Sequence, residues 1–186
     1  MGRIILVVGG ARSGKSGFAE QLLAGFGSEV GYIATAQALD AEMEDRIARH
    51  RLQRPDSWRT FEAPTNPSAI IAAHGDTFAA LLLDCLTVMI TNRMLARTMD
   101  WDQPTTAQLN AVEADVLAEI EAIIDCAAAG RADLIAVANE VGSGIVPINP
   151  MSRFFRDCAG RVNPRMAAAA AEAYWVVAGI PVRIKG

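Results

Sequence analysis

Ile4-Ile5-Leu6-Val7-Val8 runs straight into Gly9-Gly10-Ala11-Arg12-Ser13-Gly14-Lys15-Ser16, and the helix-forming stretch Ser16-Gly17-Phe18-Ala19-Glu20-Gln21-Leu22-Leu23 follows. The middle eight residues fit G-x-x-x-x-G-K-S/T, the loop that carries a buried strand into a helix around a phosphate chain. Glycines let successive backbone N–H groups turn inward onto phosphate oxygens. Lys15 adds a point charge at the β and γ phosphates, and the Ser16 hydroxyl is suited to holding Mg²⁺. A glycine-rich turn with no ligand is the alternative. The eight-residue match and its strand-loop-helix setting weigh against it, so the chain is expected to bind a nucleoside triphosphate, ATP or GTP.

Composition supports this reading. Among 17 basic residues only Lys15 and Lys185 are lysines, and one of the two sits in the loop. The 186 residues suit one nucleotide-binding α/β domain spanning 1–186, with 52% hydrophobic residues ample for a sheet buried on both faces. A net charge of −4 argues against a nucleic-acid partner, which calls for a basic balance. Cys85, Cys126 and Cys158 are odd in number and lack metal-ligand spacing, so reduced thiols and a cytoplasmic location are expected. No apolar run reaches the ~20 residues that a membrane span needs.

Strand-like apolar runs recur at Ile4–Val8, Val30–Ala34, Phe78–Leu83, Leu134–Ala138 and Trp175–Ala178. Between them, Glu42–Arg54, Pro67–Ala73, Leu86–Arg97, Thr106–Ala129, Met151–Ala159 and Met166–Ala173 read as helices. This alternation predicts an α/β fold: a mostly parallel sheet with helices on both faces. Val182–Ile184 after Gly179-Ile180-Pro181 suggests a C-terminal hairpin, and Met99–Pro104 reads as a mobile surface excursion.

In such sheets ligands bind at the carboxyl ends of the strands. Four of these ends are polar: the loop itself, Ala34-Thr35-Ala36-Gln37, Asp84, and Asn139-Glu140-Val141-Gly142-Ser143-Gly144. Asp84 closes Ala80-Leu81-Leu82-Leu83, where phosphate-loop proteins place a Mg²⁺-directed carboxylate; capping the next helix is its other possible task. Glu140 either points into the same crevice or caps its own loop. Arg46, Arg49, Arg51 and Arg54 surround His50, one of two histidines. At helical spacing Met43, Ile47, His50 and Arg54 share a face. One reading is a histidine packed at the core edge with solvated arginines. The other is a phosphate-gripping cluster whose positive field keeps the imidazole neutral and nucleophilic. His74 reads as a helix C-cap without chemistry.

The ordered set Gly9–Ser16, Tyr32–Ala36, Arg46–Pro55 with Trp58-Arg59-Thr60, Leu82–Thr87, Asn139–Pro147, and Phe155-Arg156-Asp157 with Gly160–Asn163 resembles the bifunctional adenosylcobinamide kinase/adenosylcobinamide-phosphate guanylyltransferase family almost end to end. The resemblance implies two steps of cobalamin assembly. A nucleoside triphosphate phosphorylates the aminopropanol hydroxyl of adenosylcobinamide. GTP then delivers GMP to that phosphate through a guanylylated histidine, giving adenosylcobinamide-GDP and pyrophosphate. It also implies His50 as nucleophile, guanine-nucleotide contacts at Ala34, Thr35, Ala36, Arg51, Leu52, Gln53, Arg54, Glu62 and Asp84, a RecA-like phosphate-loop NTPase fold, and a homotrimer. Two positions depart from the pattern. Val88–Asn92 lacks an expected tryptophan, and Pro164 replaces an expected glutamine, with an effect anticipated on a corrinoid-side loop. A monofunctional small-molecule kinase, with His50 and the arginines as a lid, is the alternative. A nucleotide switch fits less well, because no guanine-reading N-K-x-D motif is present.

Overall fold

The computed structural model describes residues 1–38, 44–45, 48 and 54–186. One seven-stranded sheet organises them: β1 (Ile4–Gly9), β2 (Val30–Ala34), β3 (Arg59–Glu62), β4 (Ala80–Asp84), β5 (Asp133–Asn139), β6 (Glu172–Val177) and β7 (Ile180–Lys185), in the order β3-β2-β4-β5-β1-β6-β7. All neighbours pair in parallel except β6 and β7. Five helices have both ends among the described residues: α1 (Lys15–Ala24), α2 (Pro67–His74), α3 (Leu86–Leu95), α4 (Thr106–Ala129) and α5 (Pro150–Ala169).

Alternation along the strands builds two cores. Ile4, Leu6, Ile33, Leu81, Leu83, Leu134 and Ala136 face the layer formed by α2 to α5. Ile5, Val7, Val30, Tyr32, Leu82, Ile135 and Val137 face the opposite side, against Ala19 and Leu23 of α1. Both faces are thus buried, which is why these strands read as continuous apolar runs. β5 is inserted between the phosphate-loop strand β1 and the Asp84 strand β4, so the sheet is of the RecA type.

Several expectations are corrected. β3 was not anticipated, because Arg59-Thr60-Phe61-Glu62 is an edge strand with little apolar signal. Met151–Ala159 and Met166–Ala173 are not separate helices: α5 runs unbroken to Ala169, and Glu172 already begins β6. Pro164 lies inside α5 rather than on a loop, and its solvent-exposed position lets the carbonyl it frees be hydrated. In the surface excursion Met99–Pro104, Trp101 packs on Phe154 with ring centroids 6.0 Å apart, which gives the segment a contact with α5. The hairpin is present, but its two-residue turn is Ala178-Gly179, both with positive φ (51° and 79°), as the twist of a tight hairpin requires. Of the expected helix Glu42–Arg54, Glu44, Asp45 and Ala48 are helical. Met43, Arg46, Ile47, Arg49, His50, Arg51, Leu52 and Gln53 lie outside the described residues.

Candidate active site

The loop between β1 and α1 is shaped by two glycines with different duties. Gly14 caps α1 at φ 92°, a left-handed conformation that L side chains resist. A Cβ on Gly9 would meet Ser13 Oγ at 2.5 Å and Val176 O at 2.6 Å, so only glycine fits there. Arg12 also adopts positive φ (57°), which turns the loop back on itself. Lys15 is buried at the start of α1, and its Nζ donates to Gly10 O at 3.1 Å, lying across the mouth of the loop. The β6–β7 turn braces the outer side: Gly179 N donates to Ser13 O at 2.9 Å.

The register Ala34↔Asp84 sets the second strand end beside the loop. Ser16 Oγ lies 3.5 Å from Asp84 Oδ1, and Tyr32 donates its phenol to Asp84 Oδ2 at 2.7 Å. Burial, and next the Asp84 carboxylate, push the Tyr32 phenol far above its usual range, so it stays protonated and donating. The Arg54 guanidinium sits 3.3 Å from the centroid of the Tyr32 ring and 3.4 Å from Glu20 Oε1. A continuous chain of contacts therefore runs from Arg54 through Tyr32 and Asp84 to Ser16. Asp84 does not cap α3, because the N-cap position is Cys85. Burial, followed by the same carboxylate, raises the Cys85 thiol to about 11, which makes it an inert packing group.

Thr35 is fully buried. Its Oγ1 donates to Cys85 O at 2.9 Å and accepts from Cys85 N at 2.8 Å, fastening the β2 end to the β4 end. Asn92 Nδ2 bridges Thr35 O and Pro64 O at 2.8 and 2.9 Å, in the segment where a tryptophan was expected. Ala34 and Ala36 flank Thr35, and Glu62 ends β3 exposed, in register with Ala34. On the other side, Glu140 N donates to Gly9 O at 3.0 Å, and Asn163 Nδ2 reaches Asn139 O at 3.3 Å. The Glu140 carboxylate turns to Gly142 N in its own loop at 2.5 Å. His74 stacks on Phe61 at 4.5 Å at the far end of α2 and has no part in the site.

The structure thus brings together Gly9, Gly10, Ala11, Arg12, Ser13, Gly14, Lys15, Ser16, Ala34, Thr35 and Asp84 at one end of the sheet. Tyr32 and Glu20 are the site residues that sequence reasoning missed. The available signal was a phenol inside a buried strand, which must find a hydrogen-bond partner. Ser16 and Asp84 offer hard oxygen donors suited to Mg²⁺, which takes few protein ligands and completes its shell with phosphate oxygens and water. No cluster of three or more His, Cys, Asp or Glu side chains that could hold a metal occurs among the described residues. No helix among them is long and apolar enough to cross a membrane.

The description "cobinamide kinase / cobinamide phosphate guanyltransferase" matches residues 5–184. The chain is 47% identical to the bifunctional adenosylcobalamin biosynthesis protein CobU of Escherichia coli K12, over 98% of this chain and 99% of that one. The CobU of Salmonella typhimurium LT2 is similar at the same identity and coverage. The CobP of Pseudomonas aeruginosa PAO1 is 40% identical, over 97% of this chain and 96% of its own. Among solved structures, a RadB recombinase chain is similar at 13% identity, covering 93% of this chain and 73% of that one, with a TM-score of 0.47. With a match that spans nearly every residue, the chain belongs to the cobinamide kinase / cobinamide phosphate guanyltransferase family.

Proposed function

We propose that one nucleotide site at the β1–α1 loop serves both family reactions in sequence. In the first, the γ-phosphoryl group passes in line to the aminopropanol hydroxyl of adenosylcobinamide. This transfer needs positioning and charge stabilisation from Lys15 and the loop amides more than covalent help. A Mg²⁺ ion held at Ser16 and Asp84 would supply further charge neutralisation across the β and γ phosphates. In the second, an imidazole nitrogen of His50 attacks the α-phosphorus of GTP: a P–N bond forms, and the P–O bond to the leaving pyrophosphate breaks. An oxygen of adenosylcobinamide phosphate then attacks the same phosphorus, releasing His50 and forming adenosylcobinamide-GDP. Ala34, Thr35, Ala36, Arg51, Leu52, Gln53, Arg54 and Glu62 are assigned to the guanine nucleotide, and the working form is a homotrimer.

The observation that carries this reading is the convergence of Lys15, Ser16 and Asp84 on one strand-end crevice, with Tyr32 fixing the carboxylate. Arg54, four residues beyond His50, is anchored on that same Tyr32. Lys15→Ala is expected to lower both the kinase and the guanylyltransfer rate by at least about 100-fold, the scale of losing one preorganised charge contact. Separate assays with GTP, one supplied with adenosylcobinamide and the other with its phosphate, check it. Loss of one activity with the other intact contradicts a shared site.

A further inference from the structure

The motif Phe155-Arg156-Asp157 has no role in the reactions as described above, yet its arginine is unusually placed. α5 turns Phe154, Cys158 and Val162 into the core and directs Arg161 to Glu113 of α4 at 3.0 Å. Arg156 lies on the opposite flank. It is seven residues before Asn163, and a heptad brings side chains back to within about 20° of one another. Asn163 marks where that flank points, because its Nδ2 reaches Asn139 O, the β5 residue in register with Gly9 at the start of the phosphate loop. Arg156 therefore stands about 10 Å farther along the same row, beyond the sheet end and on the loop's side. Arg153, one turn earlier, donates to Pro147 O at 3.0 Å, which ties the end of the 140–149 segment to this part of the helix. Arg156 Nη1 is buried and has no hydrogen-bond partner. A guanidinium nitrogen that is shielded from water and unpaired is a donor held for an anion, and its planar fork matches a phosphoryl group.

Resting on the functional reading above, we infer that Arg156 is a substrate-binding residue whose guanidinium holds a phosphoryl group on the acceptor side of the nucleotide. That group is either the phosphate of adenosylcobinamide phosphate or the γ-phosphate of the bound triphosphate. The cationic fork shields the charge that two phosphates bring together, without taking part in bond making. The helix flank serves as a rigid mount, so the group is set at a fixed height above the loop.

The test measures Arg156→Ala, Arg156→Gln and Arg156→Lys in both reactions, with wild type alongside and folding checked by thermal melting. The expected result is a 10- to 100-fold rise in KM for adenosylcobinamide phosphate, partly restored by lysine. KM for unphosphorylated adenosylcobinamide should change less than twofold, a contrast that a merely structural role would not produce. A rise in KM for the triphosphate in both reactions instead assigns the held group to the nucleotide and also supports the inference. Unchanged KM values for every phosphorylated substrate in folded variants overturn it. So does an equal loss toward phosphorylated and unphosphorylated acceptors with no change in nucleotide KM. Wild-type protein active in both steps keeps the functional reading standing in either of those cases, so the two failures are distinguishable.

Discussion

Asp84 shows how a single carboxylate is prepared by its neighbours. Tyr32 occupies one oxygen at 2.7 Å and leaves the other toward Ser16. The phenol cannot ionise in this setting, so the contact is a fixed donor rather than a switch. Tyr32→Phe keeps the ring under Arg54 but frees the carboxylate to rotate. The expected outcome is a three- to tenfold higher Mg²⁺ requirement for phosphoryl transfer, read by titrating Mg²⁺ at saturating nucleotide. An unchanged requirement contradicts the orienting role. The identity of Lys15, Ser16 and Asp84 as loop and strand-end residues was legible in sequence, because each sits in a local pattern. The Tyr32–Asp84 and Thr35–Cys85 contacts were not, since they join residues 52 and 50 positions apart and leave no periodic trace.

At the level of elements, one buried charge network decides how the helical layer meets the strand ends. Glu119 of α4 is 5% exposed; it pairs with Arg93 of α3 at 2.7 Å and accepts from Ser68 N of α2 at 2.9 Å. Arg93 also reaches Asp115 at 2.9 Å and Thr65 O at 2.7 Å. Burial opposes ionisation of Asp115, but Arg93 and Arg97 outweigh it and hold the carboxyl below its usual range. Removing Glu119 leaves Arg93 under-compensated and the α2 N-terminus without its acceptor. Glu119→Ala is therefore expected to destabilise the fold by about 3–5 kcal/mol, measured by urea denaturation. A loss below about 1 kcal/mol contradicts the network's structural weight. Element existence was largely readable from apolar period, as for Thr106–Ala129, which forms α4 with the expected bounds. The missed β3 and the split reading of α5 share a cause: tertiary pairing in one case and an outward-facing proline in the other override local signals.

Across the whole molecule, the sheet end gathers the residues of the proposed nucleotide site, while the β6–β7 hairpin presents an apolar face. Trp175, Val177, Ile180, Val182 and Ile184 are each 46–66% exposed, and the pairs Trp175↔Val182 and Val177↔Ile180 place them side by side. Contiguous exposed apolar patches are a feature of protein–protein contact surfaces. For the proposed homotrimer, light scattering is expected to return three times the 19.8 kDa chain mass. The mass of one chain contradicts that assembly.

The central claim is that the crevice serves two chemistries and that only the second passes through His50. Incubating wild-type and His50→Ala proteins with GTP labelled at the α-phosphate, while following adenosylcobinamide phosphorylation in parallel, tests it most directly. The account predicts an acid-labile, alkali-stable label on the wild-type peptide containing His50, no label on the variant, and a kinase rate retained within about tenfold. Equal labelling of His50→Ala and wild type would contradict it.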